Sequence, residues 1–322
     1  MGTSSEFDLI KRYFTRDTPG ATLGVGDDAA LLHIADGMEL AVSTDMLVSG
    51  THFLPDTDPF LLGHKTLAVN LSDLAAMGAV PRWAMLALSI PSADEDWLQG
   101  FSEGFFALAD EHGVELIGGD TTRGPLNLCV TIMGEAPRGK ALRRSGAKAG
   151  DDIWVSGLLG EAALGLAHLQ GKMTLPEDVR LSCIAALQQP QPRVALGLAL
   201  RGIANSAIDV SDGLLADLGH ILESSNMAAE VRYDRLPMPS LPASCGDEML
   251  ELAKRCVLAG GDDYELCFTV PVARREQIEM LADRLRLPLS RIGKIVSGRG
   301  CKVRAADGSV MTIKESGYDH FA

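Results

Sequence analysis

Aspartate recurs along this chain wherever a strand-like run meets a glycine, a small hydroxyl residue or a helix start. The six places are "GVGDD" (24–28), "STD" (43–45), "NLSD" (70–73), "GGDTT" (118–122), "IDVSDG" (208–213) and "GGDDYE" (260–265). One such turn means little, because aspartate is a favoured helix N-cap and turn residue. Six of them restrict the fold. Two carboxylates about 4 Å apart repel by about 4 kcal/mol at an effective dielectric of 20, so a fold that gathers these turns must also supply a cation. Mg²⁺ suits the role, since it takes hard oxygen ligands and is usually held by a few carboxylates together with substrate phosphates.

The chain has 322 residues, 46% of them apolar, enough to bury two ordinary domains. A net charge of −14 argues against nucleic acid or an anionic membrane as the partner, so an anionic substrate would need cations as intermediaries. The six cysteines form no C-x-x-C pair and no zinc-site spacing. They read as buried thiols in a reducing, cytoplasmic setting. No apolar run approaches the ~20 residues that span a bilayer, and "MGTSSEFDLIKRYF" lacks the apolar core of a signal peptide.

Strand-like and helix-like runs alternate, which points to α/β domains with mixed sheets. "ADG" (35–37) reads as a hairpin turn before the strand "ELAVSTD" (39–45). A helix fits 58–78, with Asp58 as N-cap, Pro59 at the first position and Gly78 past the end. A second fits 94–112, where Trp97, Phe101, Phe105 and Leu108 recur at helical spacing as a core stripe. "VELIGGD" (114–120) and "LNLCVTIMGEA" (126–136) read as strands, the first ending in a glycine turn. The basic, Gly- and Pro-rich stretch 137–151 marks a boundary, giving an N-terminal domain over 1–137 and a C-terminal domain over 138–322. In the second half, strands "DIWVSG", "SAIDV", "EVRYD", "YELCFTV" and "SRIGKIV" alternate with helices near 161–170, 176–188, 192–202 and in "DGLLADLGHILESS"; a hairpin fits "CKVRAADGSVMTI".

"GVGDDA" also matches G-x-G-x-x-A, the turn that cradles a dinucleotide pyrophosphate. That turn works through bare backbone N–H groups and a helix dipole, which ionised Asp27 and Asp28 would oppose. A clear strand before the glycines and a helix after them are missing as well. The metal reading therefore stands, with Asp27 unassigned. Thr66, Asn70, Asp73 and Met77 share one side of the 58–78 helix, where Asp73 is either a satisfied cap-like residue or a ligand. No P-loop, protein-kinase signature, G-x-S-x-G elbow or H-E-x-x-H is present.

Taken in order, "GVGDDAAL", "AVSTDMLVSGTHF", "KTLAVNLSDLAAMGA", "LIGGDTTRG", "RRSGAKAGD", "AIDVSDGL", "GGDDYELCF" and the terminal "GYDHF" resemble the thiamine-monophosphate kinases. Those enzymes belong to the superfamily of aminoimidazole ribonucleotide synthetase and selenophosphate synthetase. The resemblance implies a two-domain α/β fold that dimerises through sheets of its N-terminal domains, with the C-terminal domain completing the ATP and substrate site. It also implies ATP-dependent phosphorylation of thiamine monophosphate to thiamine diphosphate. Carried over by motif, Asp28, Ser43, Thr44, Asp45, Asp73, Asp120, Asp209 and Asp212 would hold several Mg²⁺ ions. Gly119, Asp120, Arg144 and Ser211 would contact ATP, and His52, Asp262 and Tyr318 the thiamine phosphate. Read alone, Arg144 is a solvated charge, His52 a loop histidine, Ser211 and Asp212 helix caps, and Tyr318 a packing residue. The family commonly has "GGED" where this chain has "GGDD", one methylene shorter at Asp262.

The implied chemistry is direct in-line transfer with no dedicated nucleophile, because an ionised phosphate acceptor needs no strong base. The alternatives are another ATP-dependent enzyme of the superfamily and a non-catalytic nucleotide or thiamine-phosphate sensor. A sensor would show a broken acidic set, whereas every expected acidic position is filled.

Overall fold

Asp58 accepts the N–H groups of Phe60 and Leu61 at 2.9 and 3.2 Å, and with Pro59 it starts helix α2, Pro59–Ala76. Helix α3, Glu95–His112, is capped by Asp94 and ends on Gly113 at φ 64°. Its expected aromatic stripe is core, with the rings of Trp97, Phe101 and Phe105 stacking in series. The two helices cross at glycines. A Cβ on Gly63 would lie 2.0 Å from the Phe101 carbonyl oxygen, and one on Gly104 would lie 1.9 Å from that of Phe60.

The computed structural model describes residues 5–242, 245–313 and 317–318. Its contacts divide the chain into one unit of Met1–Leu74 with Ala79–Gly139, and a second of Ala75–Gly78 with Lys140–Ala322. A short α1, Glu6–Leu9, continues as a π-helical turn, Ile10–Phe14, in the first unit. Four strands follow there: β1 Met38–Val48, β2 Val80–Ile90, β3 Glu115–Arg123 and β4 Asn127–Pro137. They lie in the order β1-β4-β2-β3, antiparallel except for the β2–β3 pair. Strand β2 falls in a stretch for which the sequence pattern predicted no element. The expected glycine turn at 118–119 is instead part of β3, beside a bulge opposite Ala84 and Met85. "ADG" turns the chain into β1, with Gly37 at φ 81°, but no named strand precedes it, so it is not a hairpin.

The second unit holds a mixed six-stranded sheet in the order β10-β7-β9-β5-β8-β6. Its strands are β5 Asp152–Ser156, β6 Ser206–Val210, β7 Ala228–Arg232, β8 Glu265–Val270, β9 Leu289–Val296 and β10 Gly300–Arg304. Between them lie helices α4 Glu161–Leu169, α5 Glu177–Gln188, α6 Val194–Leu200, α7 Leu214–Ser225, α8 Asp247–Ala259 and α9 Arg275–Leu285. The core joins Ile153, Val155, Val210, Leu218 and Ile292. The expected hairpin after Cys301 shrinks to a single bridge between Arg304 and Val310, since β10 pairs in parallel with β7 instead. Cys183, Cys256 and Cys267 are buried, while Cys129, Cys245 and Cys301 are half-buried. Among the described residues no helix is long and apolar enough to cross a membrane.

Candidate functional site

In the first unit, strand alternation sorts the "STD" motif between two faces. Ser43 faces α2 and donates its hydroxyl to Asp73 Oδ2 at 2.5 Å. Asp45 is two residues on, on the same side, and its N–H donates to Asn70 Oδ1 at 3.2 Å. Asn70 in turn donates to the Thr66 carbonyl. The polar stripe of α2 thus ties the helix to β1, and Asp73 is an acceptor for Ser43 rather than a helix cap. Thr44 points to the other face, where its hydroxyl meets that of Thr131 at 2.8 Å. Its side chain therefore does not join Ser43, Asp45 and Asp73.

Asp27, Asp28, Gly119 and Asp120 line one pocket of about 490 Å³ in the same unit. The "GVGDD" loop is closed by a bridge between Leu23 and Leu31, and no helix follows it, which matches the rejection of a dinucleotide turn. Asp27 Oδ1 accepts the Asp28 N–H at 2.9 Å, so Asp27 shapes the loop that presents Asp28. Gly119 has a steric reason: a Cβ there would lie 1.8 Å from the Leu86 carbonyl oxygen, backbone that cannot retreat. His52 closes a turn through Gly50, its Nδ1 accepting the Val48 N–H at 3.0 Å. Nε2 is left as the nitrogen that carries the proton in the neutral ring.

In the second unit, Asp209 is buried on β6 opposite Leu266. Ser211 and Asp212 follow in the turn into α7. The Ser211 carbonyl accepts the Asp262 N–H at 2.8 Å, and the Asp212 carbonyl accepts the Tyr318 N–H at 2.9 Å. This turn therefore gathers Ser211, Asp212, Asp262 and Tyr318. Asp262 and Tyr264 both have positive φ, 69° and 50°, and the Tyr264 hydroxyl donates to Asp262 Oδ1 at 3.0 Å. Arg144 is exposed, on a loop pinned where Gly146 and Ala147 donate to the Ser225 hydroxyl. The rest of "GYDHF" beyond Tyr318, residues 319–321, lies outside the described residues.

Three further acidic residues shape this unit; the sequence reading assigned none of them a role, although Asp263 and Glu265 lie within "GGDDYE". Asp217 Oδ2 accepts the N–H groups of Ser211, Asp212 and Gly213, each at 3.1 Å. Burial pushes its carboxyl up to about 7 against the pull of those donors. Asp263 accepts the Gly160 N–H at 2.8 Å at the start of α4, and loss of water around it raises its carboxyl well above the usual range. Glu265 receives the Ser156 hydroxyl at 2.5 Å and the Arg193 guanidinium.

Among the described residues no group of three or more His, Cys, Asp or Glu side chains is set to hold a metal ion. The acidic positions occur instead with hydroxyl and backbone oxygens. Within the first unit, Asp45 and Asp73 stand with the Ser43 hydroxyl, and Asp28 and Asp120 line one pocket; hard oxygens of this kind are the donors Mg²⁺ takes, alongside waters and substrate phosphates.

Residues 26–136 match the family model of the AIR synthase related protein N-terminal domain, and 148–306 that of the AIR synthase related protein C-terminal domain. The chain is also 47% identical to the thiamine-monophosphate kinase of Salmonella typhimurium, over 98% of each chain. It belongs to the thiamine-monophosphate kinase family. Among solved structures, the family member from Stenotrophomonas maltophilia K279a matches with 52% identity and a TM-score of 0.83, over 94% of this chain and 95% of that one. A second, AaThiL complexed with AMPPCP and TMP, matches with 28% identity and a TM-score of 0.74, over 97% and 96% of the two chains. As a member of this kinase family, the chain has the two domains and mixed sheets that its motifs implied.

Proposed function

We propose that this chain transfers the γ-phosphoryl group of ATP to the phosphate of thiamine monophosphate, releasing ADP and thiamine diphosphate. The reading is carried by its 47% identity, along 98% of both chains, to a thiamine-monophosphate kinase; the complex with AMPPCP and TMP in a related structure is in keeping with it.

Transfer is direct and in line: the bond from the γ-phosphorus to the β,γ-bridging oxygen breaks as an oxygen of the acceptor phosphate bonds to that phosphorus. Both reactants are anions, so alignment and charge neutralisation are the main tasks. Asp28, Ser43, Thr44, Asp45, Asp73, Asp120, Asp209 and Asp212 would hold Mg²⁺, Thr44 through its backbone. When bound, such ions offset the negative charge of the phosphates. Gly119, Asp120, Arg144 and Ser211 serve ATP. The missing Cβ of Gly119 lets β3 pack against the Leu86 carbonyl in the strand that carries Asp120 into the pocket, and the exposed Arg144 offers a charged fork. His52 offers Nε2–H to the thiamine phosphate. Asp262, held by Tyr264, orients the thiamine with Tyr318. No side chain becomes phosphorylated.

The active form is a homodimer. The face of the first sheet turned away from α2 carries Val42, Met46 and Met85, which are 56%, 52% and 39% exposed, together with Thr44 and Thr131. An apolar sheet face of this kind calls for a partner, and a second copy of the same face is the occupant that the family resemblance implies.

The deciding experiment incubates purified protein with ATP, MgCl₂ and thiamine monophosphate and follows thiamine diphosphate and ADP by chromatography. Equimolar products are expected, with none when EDTA replaces MgCl₂. Tight ATP binding without thiamine diphosphate would overturn the assignment.

A further inference from the structure

The turn that leads into α7 hangs on one carboxylate oxygen. Its N-cap position is Gly213, which has no side chain to receive the first N–H groups. Asp217 reaches back from within the helix instead. Its Oδ2 takes three consecutive N–H groups, those of Ser211, Asp212 and Gly213, each at 3.1 Å, and the residue is only 3% exposed. The carbonyls of Ser211 and Asp212 are in turn the acceptors for Asp262 and Tyr318, at 2.8 and 2.9 Å. Two glycines let those neighbouring chains come close. A Cβ on Gly261 would lie 2.5 Å from the Ser211 oxygen, and one on Gly317 would lie 2.8 Å from the Asp212 oxygen.

We propose that Asp217 is a positioning residue of the phosphoryl transfer: by fixing the 211–213 turn it sets Ser211 and Asp212 directly, and Asp262 and Tyr318 through the carbonyls of that turn. The proposal rests on the roles assigned above to those four residues. Nothing in the motif comparison marks Asp217, because its partners are backbone groups common to every residue. Three donors converge on this one oxygen, where an ordinary cap side chain receives the N–H of one or two residues. Its loss leaves three N–H groups, one of them on the buried Gly213, without their acceptor.

The test compares full-length Asp217→Ala and Asp217→Asn with wild type by residue-resolved hydrogen exchange and by steady-state kinetics. In Asp217→Ala, the amides of Asp262 and Tyr318, whose acceptors are the Ser211 and Asp212 carbonyls, should exchange about tenfold faster along with those of 211–213, while β8 amides keep their protection. The KM values for ATP and for thiamine monophosphate should both rise about tenfold. Asp217→Asn keeps an acceptor oxygen without the charge and should fall between the two. Leu218→Ala, a core change on the same helix, lowers stability without moving either KM, which separates positioning from general loosening. Unchanged exchange at Asp262 and Tyr318 would overturn the proposal, as would wild-type KM values in Asp217→Ala. If the alanine variant does not fold, Asp217→Asn decides on the same two readouts. The exchange result stands even if wild type forms no thiamine diphosphate, so the failure of the activity and the failure of the keystone are distinguishable.

Discussion

Ser43 and Asp73 stand thirty positions apart and share a hydrogen bond of 2.5 Å, and Asp45 lies on the same side of β1. In the proposed Mg²⁺-holding role, charge matters more than shape for these carboxylates. Asp73→Asn keeps an acceptor for Ser43 and Asp45→Asn leaves the backbone bond to Asn70 intact, so both variants should fold normally by circular dichroism. Their turnover should fall by about 100-fold or more, as expected when a group that stabilises transferring phosphate is neutralised; near-normal rates would remove them from the metal-binding set. These residues were legible because they sit in short motifs at strand ends and at helical spacing. The opposite orientation of Thr44 was legible too, from the two-residue period of a strand, but the motif lumped it with its neighbours. Asp217 and Asp263 were not legible. An aspartate in a helix's first turns or inside an acidic loop reads as ordinary surface charge, and the backbone N–H groups they accept carry no side-chain signature.

Helices α2 and α3 meet where Gly63 and Gly104 remove two side chains. Alanine at either site must push backbone against backbone, and each substitution should destabilise the protein by about 1–3 kcal/mol, read as a lower midpoint in urea with unchanged slope. An unchanged midpoint would mean that the helices can part at no cost. Both helices were legible from their caps, Asp58 and Asp94, and from the aromatic spacing of α3. Besides the short α1 and its π-helical turn, three elements escaped. In β2 the buried Leu86, Leu88 and Ile90 do alternate with more exposed residues, but Pro81 and the register shift after it break the period at its start. Helices α8 and α9 bury only narrow stripes, Ala253, Cys256, Val257 and Leu258 in one and Ile278 and Leu281 in the other, among many charges. A stripe that thin gives a weak helical signal in a charged sequence.

At the scale of the whole molecule, the apolar outer face of β1 and β2 is where the proposed assembly can be tested apart from folding. Val42→Asp and Met46→Asp change side chains that are more than half exposed in one protomer, so each should leave the circular dichroism spectrum intact. In a self-paired interface of ordinary size, roughly 1,200–2,000 Å², the same charge would face its own copy. Sedimentation velocity should show wild type as a dimer and either variant as a monomer at micromolar concentration; a monomeric wild type would remove the homodimer from the proposal. The two-domain division was legible in the basic, glycine-rich stretch near 137–151. The grouping of Ala75–Gly78 with the second unit was not, because contacts made by a helix end depend on tertiary packing that no local pattern encodes.

Strand β1 is also an edge, eleven residues long, with β4 on one side only. A newly made chain therefore offers other chains a strand edge beside Val42 and Met46, stoppered only in part by Asn70, which accepts the Asp45 N–H, and His52, which accepts that of Val48. Such an edge is a template for wrong strand addition. Refolding yield should for that reason be set by a race between self-recognition and aggregation, and the same surface that would complete the enzyme is the one that chaperones have most reason to shield.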